Sequence, residues 1–342
     1  MKSQTKGRLD ANLSITWRQE AAIDDSLQSC RPAIDDSRLY LGDLSGTFYA
    51  LSRRDGSVEW TQERAGALSD SSPCLHDGAV YVGSGGGAVH AFDAVDGTER
   101  WSYTGPSAVS SSPVVANGTV YVGRNDGIVL ALDAADGTVR WQVDVGDAVR
   151  SEVAYSRTAE AVIVSTTDGR VCARAAVSGD ELWSRSFGAV VGSSSPVVDD
   201  DRGLVYFAAD ELFTVDVETG ETVWGTSFYG ANAGSSPAFD DEYVYVAGGD
   251  GKVYAVAHPD GPLAAAPAWE FETWDVSIAA DLTVIDGRIL VCSLDGVLYV
   301  LDADSGAAFT DATVECRLRA SPAVADETVF LAGAAGTVRR VE

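Results

Sequence analysis

Apolar and polar residues alternate in short runs along nearly the whole chain, and the runs recur. Val120–Trp141 reads VYVGRNDGIVLALDAADGTVRW: a strand, an Asn-Asp-Gly turn, a second strand, an Asp-Gly turn, and a third strand reaching tryptophan. Val80–Trp101 reads VYVGSGGGAVHAFDAVDGTERW, almost the same phrase. A period of two predicts β-strands, and Asp-Gly or Gly-Gly supplies the positive φ that tight hairpin turns require. A further short run, opened by Ser-Pro at Ser72-Pro73, Ser112-Pro113, Ser195-Pro196, Ser236-Pro237 and Ser321-Pro322, precedes the hairpin, so each unit predicts four strands.

The middle of the second strand falls at Tyr40, Tyr81, Tyr121, Ile163, Tyr206, Tyr245, Leu290 and Phe330, with spacings of 41, 40, 42, 43, 39, 45 and 40. Eight units of about 41 residues consume nearly all of the 342, a repeat period of the propeller class. Four short antiparallel strands per unit predict an all-β fold: an eight-bladed β-propeller of four-stranded antiparallel blades, one domain over residues 1–342. The last unit stops at Glu342 after its third strand, while Asn12–Trp17 is a fourth strand without a blade, Trp17 lying 43 residues before Trp60. The N-terminal strand is therefore expected to close the last blade and remove an open sheet edge, with residues 1–10 as a flexible tail.

The turn before the fourth strand has the form A-x-D-x-x-x-G-x-x-x-W. It is intact at Ala91, Asp93, Gly97, Trp101 and at Ala131, Asp133, Gly137, Trp141, and partial elsewhere. Seven of the eight tryptophans (Trp17, Trp60, Trp101, Trp141, Trp183, Trp224, Trp269) share this one position, which marks them as structural. The motif resembles the tryptophan-docking motif of the PQQ-like (quinoprotein) repeat, and the phrase Ser-Ser-Pro…VYVG…ALDA…GxxxW is similar to the BamB-like branch of that superfamily. The resemblance implies that each indole packs between adjacent blades near the glycine of the next motif. The glycine run Gly83–Val89 lies in a hairpin with no helix after it, so it is read as a turn and not a phosphate loop.

Quinoprotein dehydrogenases of the superfamily are much longer, carry adjacent cysteines bonded over the cofactor, and use a calcium held by Glu, Asn and Asp beside a catalytic Asp. This chain has no Cys-Cys pair; Cys30, Cys74, Cys172, Cys292 and Cys316 are scattered and read as small apolar residues. His76, His90 and His258 stand at no metal-ligand spacing. BamB-like members are protein-binding scaffolds. The resemblance therefore implies a non-catalytic scaffold with a protein or peptide partner on the channel-mouth face, and with neither cofactor nor metal. A PQQ- and calcium-dependent dehydrogenase, or a small-ligand sensor in the central channel, are the alternatives.

Charge adds to this picture. The formal net charge is −27, and Lys2, Lys6 and Lys252 are the only lysines. Self-repulsion on that scale is tolerated where salt screens it, so the composition reads as haloarchaeal and the expected setting is a high-salt cytoplasm. Nucleic acid is disfavoured as a partner, because binding it starts with neutralising phosphates. No apolar run has the length of a membrane span or signal peptide, and a monomer is expected.

The residue before the inner-strand proline, or its aligned position, runs Arg31, Ser72, Ser112, Glu152, Ser195, Ser236, Asp281, Ser321. Arg31, Glu152 and Asp281 break a serine pattern at the channel mouth, and Arg150 and Arg319 precede two ring positions by two residues. They are read either as solvated ion pairs or as contacts to a ligand or partner. Late in the chain Thr310 stands where tryptophan is expected. Trp274 either fills that vacancy or anchors an interface, and Phe228 and Tyr229 carry the same two readings.

Overall fold

A computed structural model describes residues 15–19, 31–64, 66–68, 70–188, 194–209, 211–227, 235–258, 266–273, 278, 280–314, 317–333 and 336–341, with backbone alone at 15–19, 226–227 and 311–312. Among these residues the alternating runs form eight separate four-stranded antiparallel sheets. In blade 3 the strands, called a to d outward from the channel, are Val114–Ala116, Thr119–Gly123, Ile128–Asp133 and Val139–Asp144. Blades 1 to 7 take their strands consecutively. Blade 8 takes Ala323–Ala325, Thr328–Gly333 and Thr337–Val341 from the end of the chain and Ile15–Gln19 from its beginning. Trp17 stands opposite Arg340 as Trp141 stands opposite Ala131, so the closing strand joins in the register of the other blades.

Burial explains the sequence pattern strand by strand. The b and c strands are covered on both faces by neighbouring blades, so Thr119–Gly123 is buried throughout despite its alternation of Val and Tyr. The d strands alternate in exposure: within Val139–Asp144 the one buried residue is Trp141. A β-bulge just before the tryptophan position, seen where Leu132 pairs with Val139 and Ala131 with Trp141, re-aims the indole toward the next blade. The core is consequently a ring of seams between sheets, such as Tyr81, Val89 and Trp101 of blade 2 against Val120, Val122 and Leu130 of blade 3.

Five of the described seams are fastened to a backbone carbonyl of the next blade. The Trp101 indole Nε1 donates to the Ala134 carbonyl of the next blade at 2.9 Å, and the Tyr81 hydroxyl donates to the same oxygen at 3.1 Å. Trp60 with Tyr40 on Ala94, Trp141 with Tyr121 on Ala176, and Trp269 with Tyr245 on Ala303 repeat the arrangement. In blade 4 Ile163 replaces the tyrosine, and Trp183 alone reaches Val217 at 2.8 Å. Trp224 is buried with Leu204, Tyr206 and Tyr254 between blades 5 and 6. The motif glycine is where the indole lies: a Cβ on Gly137 would stand 2.5 Å from Trp101. Between blades 7 and 8, Thr310 and Leu290 replace both donors, and Leu290, Cys292, Leu298, Val300 and Leu331 fill the seam with aliphatic contacts.

Cys172 and Cys292 are buried and outside any disulfide, while Cys74 is half-buried on the channel wall. Trp274, Phe228, Tyr229, Cys30 and Cys316 lie outside the described residues, as do residues 1–10. Among the described residues no helix is long and apolar enough to cross a membrane.

Candidate functional site: the central channel and its mouth

The channel begins where the a strands begin. At its narrow ring the backbone N–H of one blade donates to the side-chain oxygen at the same position of the next. Arg31 N donates to Ser72 Oγ at 3.0 Å, Ser72 N to Ser112 Oγ at 2.9 Å, Glu152 N to Ser195 Oγ at 2.9 Å and Ser195 N to Ser236 Oγ at 2.9 Å. Ser236 N then donates to Asp281 Oδ1 at 2.6 Å, and Asp281 N to Ser321 Oγ at 3.0 Å. Serine recurs here because a short side chain with an acceptor oxygen bridges blades that have left the sheet hydrogen-bond ladder. Its hydroxyl oxygens thus accept girdle bonds between blades, while Ser72, Ser195 and Ser236 still line the channel cavities.

Two ring side chains do not accept a girdle bond, Arg31 of blade 1 and Glu152 of blade 4. They meet across the channel instead, with Arg31 Nη2 3.6 Å from Glu152 Oε1. Both keep access to channel solvent, at 46% and 38% of their side-chain surface. Glu152 nevertheless sits deep among protein atoms. Burial pushes its carboxyl above the ordinary range, the Arg31 charge opposes that shift, and the Asp281 charge adds to it. Asp281 of blade 7 shares the wall, with Oδ1 in the girdle.

The ion pair stands between two cavities. The larger, about 570 Å³, runs from Arg31, Glu152 and Asp281 down a wall of Val114, Val153, Val197, Phe239, Leu282 and Val284. Tyr155 and Arg157 lie at its far end, Tyr155 stacked on Tyr121 and Arg157 paired with Asp200. The smaller, about 450 Å³, lies over Pro32, Ile34, Cys74, Pro113 and Val324, and again touches Arg31 and Glu152.

Arg150 and Arg319 lie elsewhere. They are exposed on the loops that enter blades 4 and 8, on opposite sides of the mouth, and line neither cavity. Arg317, two residues before Arg319 across buried Leu318, joins them as a third exposed cation that repeat alignment did not single out. None of the three makes a side-chain hydrogen bond or ion pair among the described residues, whereas arginines such as Arg38, Arg64, Arg100, Arg140 and Arg157 are paired with carboxylates. The structure therefore separates the five charged candidates into a channel set, Arg31, Glu152 and Asp281, and a rim set, Arg150 and Arg319. The apolar channel wall with Phe239 and Tyr155 was also missed; its signal was the inward position of each short a strand.

No curated protein matches the chain. Among solved structures it is similar to BamB from Moraxella catarrhalis, at 20% identity and a TM-score of 0.79, covering 97% of this chain and 98% of that one. It is similar also to the computationally designed Ika8 protein, at 18% identity and a TM-score of 0.80, covering 95% and 98%. The quinohemoprotein alcohol dehydrogenase from Comamonas testosteroni matches at 14% identity and a TM-score of 0.78, covering 97% of this chain and 76% of the dehydrogenase. These likenesses are of fold. The family described as outer membrane protein assembly factor BamB matches residues 7–176, 65–261 and 265–342, and with its PQQ-like repeats closed into eight blades this chain belongs to that family.

Proposed function

We propose that the chain is a non-catalytic scaffold that holds a protein or peptide partner against the channel-mouth face. The observation that carries this reading is the rim: Arg150, Arg317 and Arg319 are exposed and without a side-chain partner among the described residues, in a chain with 51 acidic residues available to pair them. Rigid blades hold these loops in place, and such loops are where binding residues concentrate. An arginine that is solvated in the free protein gives up little to meet a partner's carboxylate in bidentate geometry. Full-length overlap with a BamB structure supports the same class of role. The test is capture from native lysate by the wild-type chain and by Arg150→Glu/Arg317→Glu/Arg319→Glu. A protein retained by the first and lost by the second supports the reading, provided both melt alike. Equal retention by both sinks it.

Dehydrogenase chemistry is the second reading, kept because a quinohemoprotein dehydrogenase shares the fold. The described channel wall does not fit a calcium-borne quinone. Its two carboxylates stand on blades 4 and 7, with the Arg31 guanidinium beside one of them, and no three metal-ligating groups converge among the described residues. Dye reduction by protein incubated with PQQ and calcium ions would restore the enzyme reading.

A further inference from the structure

Arg31 and Glu152 break the girdle together. Serine at both positions would supply the acceptors that the girdle uses elsewhere, and each such bond is a net stabilising contact. Local packing therefore favours serine, and the chain instead carries two opposite charges that meet across the channel at 3.6 Å. That separation exceeds a closed hydrogen bond. Asp281 adds a carboxylate on a third side of the axis, and one cavity touches all three groups. Residues that forgo a local stabilising contact mark sites where function has set the choice.

The chemistry of the three groups selects the ligand. A bare cation meets a guanidinium beside its first carboxylate, and a simple anion meets two carboxylates. A molecule with both an ammonium and a carboxylate satisfies the whole set. We propose that the larger cavity binds a small zwitterionic amino compound, an α-amino acid or short peptide with an apolar side chain, its carboxylate on Arg31, its ammonium between Glu152 and Asp281, and its side chain on Phe239 and the valine wall. The ligand replaces the Arg31–Glu152 pair with two shorter charge-assisted contacts, which are the stronger kind. A volume of about 570 Å³ lies within the range of small-molecule sites. The Glu152 shift fits the same picture, since a carboxylate held in a buried channel gains from an ammonium beside it. The proposal is independent of the scaffold role, which uses the rim.

The test titrates the purified chain in high-salt buffer with L-leucine, L-phenylalanine and leucyl-leucine, followed by thermal melting and calorimetry. At least one of these zwitterions is expected to raise Tm by about 2 °C or more at saturation. N-acetyl-leucine and leucinamide, which each keep one of the two charges, are expected to bind at least about ten-fold more weakly, the loss of one charge-assisted contact. Arg31→Ser/Glu152→Ser, which restores two girdle acceptors, is expected to melt no lower than wild type and to lose the response. Should that variant not fold, Glu152→Gln is read instead, with a ten-fold loss for the zwitterion and none for N-acetyl-leucine. A wild-type chain that binds none of the zwitterions, binds single-charge analogues equally well, or keeps its response in the variant overturns the proposal.

Discussion

Gly137→Ala probes the seam between blades 2 and 3 with a single methyl group. Two costs add. Gly137 has φ +74°, where a Cβ costs about 1–2 kcal/mol. The new Cβ also falls 2.5 Å from Cε3 and 2.7 Å from Cδ2 of Trp101. The indole has no easy retreat: its Nε1 is bonded to the Ala134 carbonyl at 2.9 Å, and its ring packs against Tyr81 at 5.8 Å between centroids. Overpacking of this kind costs about 1–3 kcal/mol, for a total of about 2–5 kcal/mol. Gly287→Ala is the control. Gly287 has φ +71° and nothing within 4 Å of the point where a Cβ would stand, so it carries the backbone cost alone. Urea denaturation in high salt should show Gly137→Ala losing about 1–3 kcal/mol more than Gly287→Ala, the overpacking difference. Adding Trp101→Leu to Gly137→Ala should then cost less than the two single changes summed. Equal losses at the two glycines would refute the idea that the indole is what the motif glycine accommodates.

Three further outcomes are expected. Glu327 occupies the left-handed region at φ +63° in the a–b turn of blade 8, where blades 2, 3 and 7 place Gly78, Gly118 and Gly287, so Glu327→Gly should raise stability by about 1 kcal/mol in thermal melts. Burial alone would raise the Asp200 pKa, but hydrogen bonds from Ser156, Arg157 and Thr158 bring it well below the ordinary value. A depressed folded pKa adds stability that is complete above the unfolded value near 3.9 and is lost as pH falls through the folded one; Asp200→Asn should cost about 1.5–3 kcal/mol at neutral pH, and its deficit relative to wild type should shrink in acid. With a net charge of −27, dialysis from molar salt to about 0.1 M lengthens the screening distance from about 3 to about 10 Å and should lower Tm; a melting curve indifferent to salt would remove the high-salt reading.

The ring and its closure were legible because each blade repeats the same physical problem. Tyr81, Asp93, Gly97 and Trp101 recur in phase, and Asn12–Trp17 had no other sheet to join. The function of the ring serines was not legible: spacing placed Ser72 and Ser195 at the mouth, but only three-dimensional contact shows their hydroxyls receiving N–H groups from the preceding blade. The pairing of Arg31 with Glu152 was hidden for the same reason. Those residues are 121 positions apart (152 − 31) and meet only once the ring has closed. Arg317 escaped because no repeat position marks it as unusual. The shared carbonyl is also absent from any sequence pattern, since a backbone oxygen carries no residue identity.

Blade 8 joins the first strand of the ring to its last three, and this orders events during synthesis. A ribosome delivers Ile15–Gln19 first and Thr337–Val341 last. The earliest strand must therefore wait, unpaired, while seven sheets assemble from neighbouring segments. Local pairing is fast, whereas closing a loop that spans most of the polypeptide is slow and opposed by entropy. Closure of the circle is therefore expected to come late, and until then the first strand and the margin of the eighth sheet are what a chaperone would have to shield.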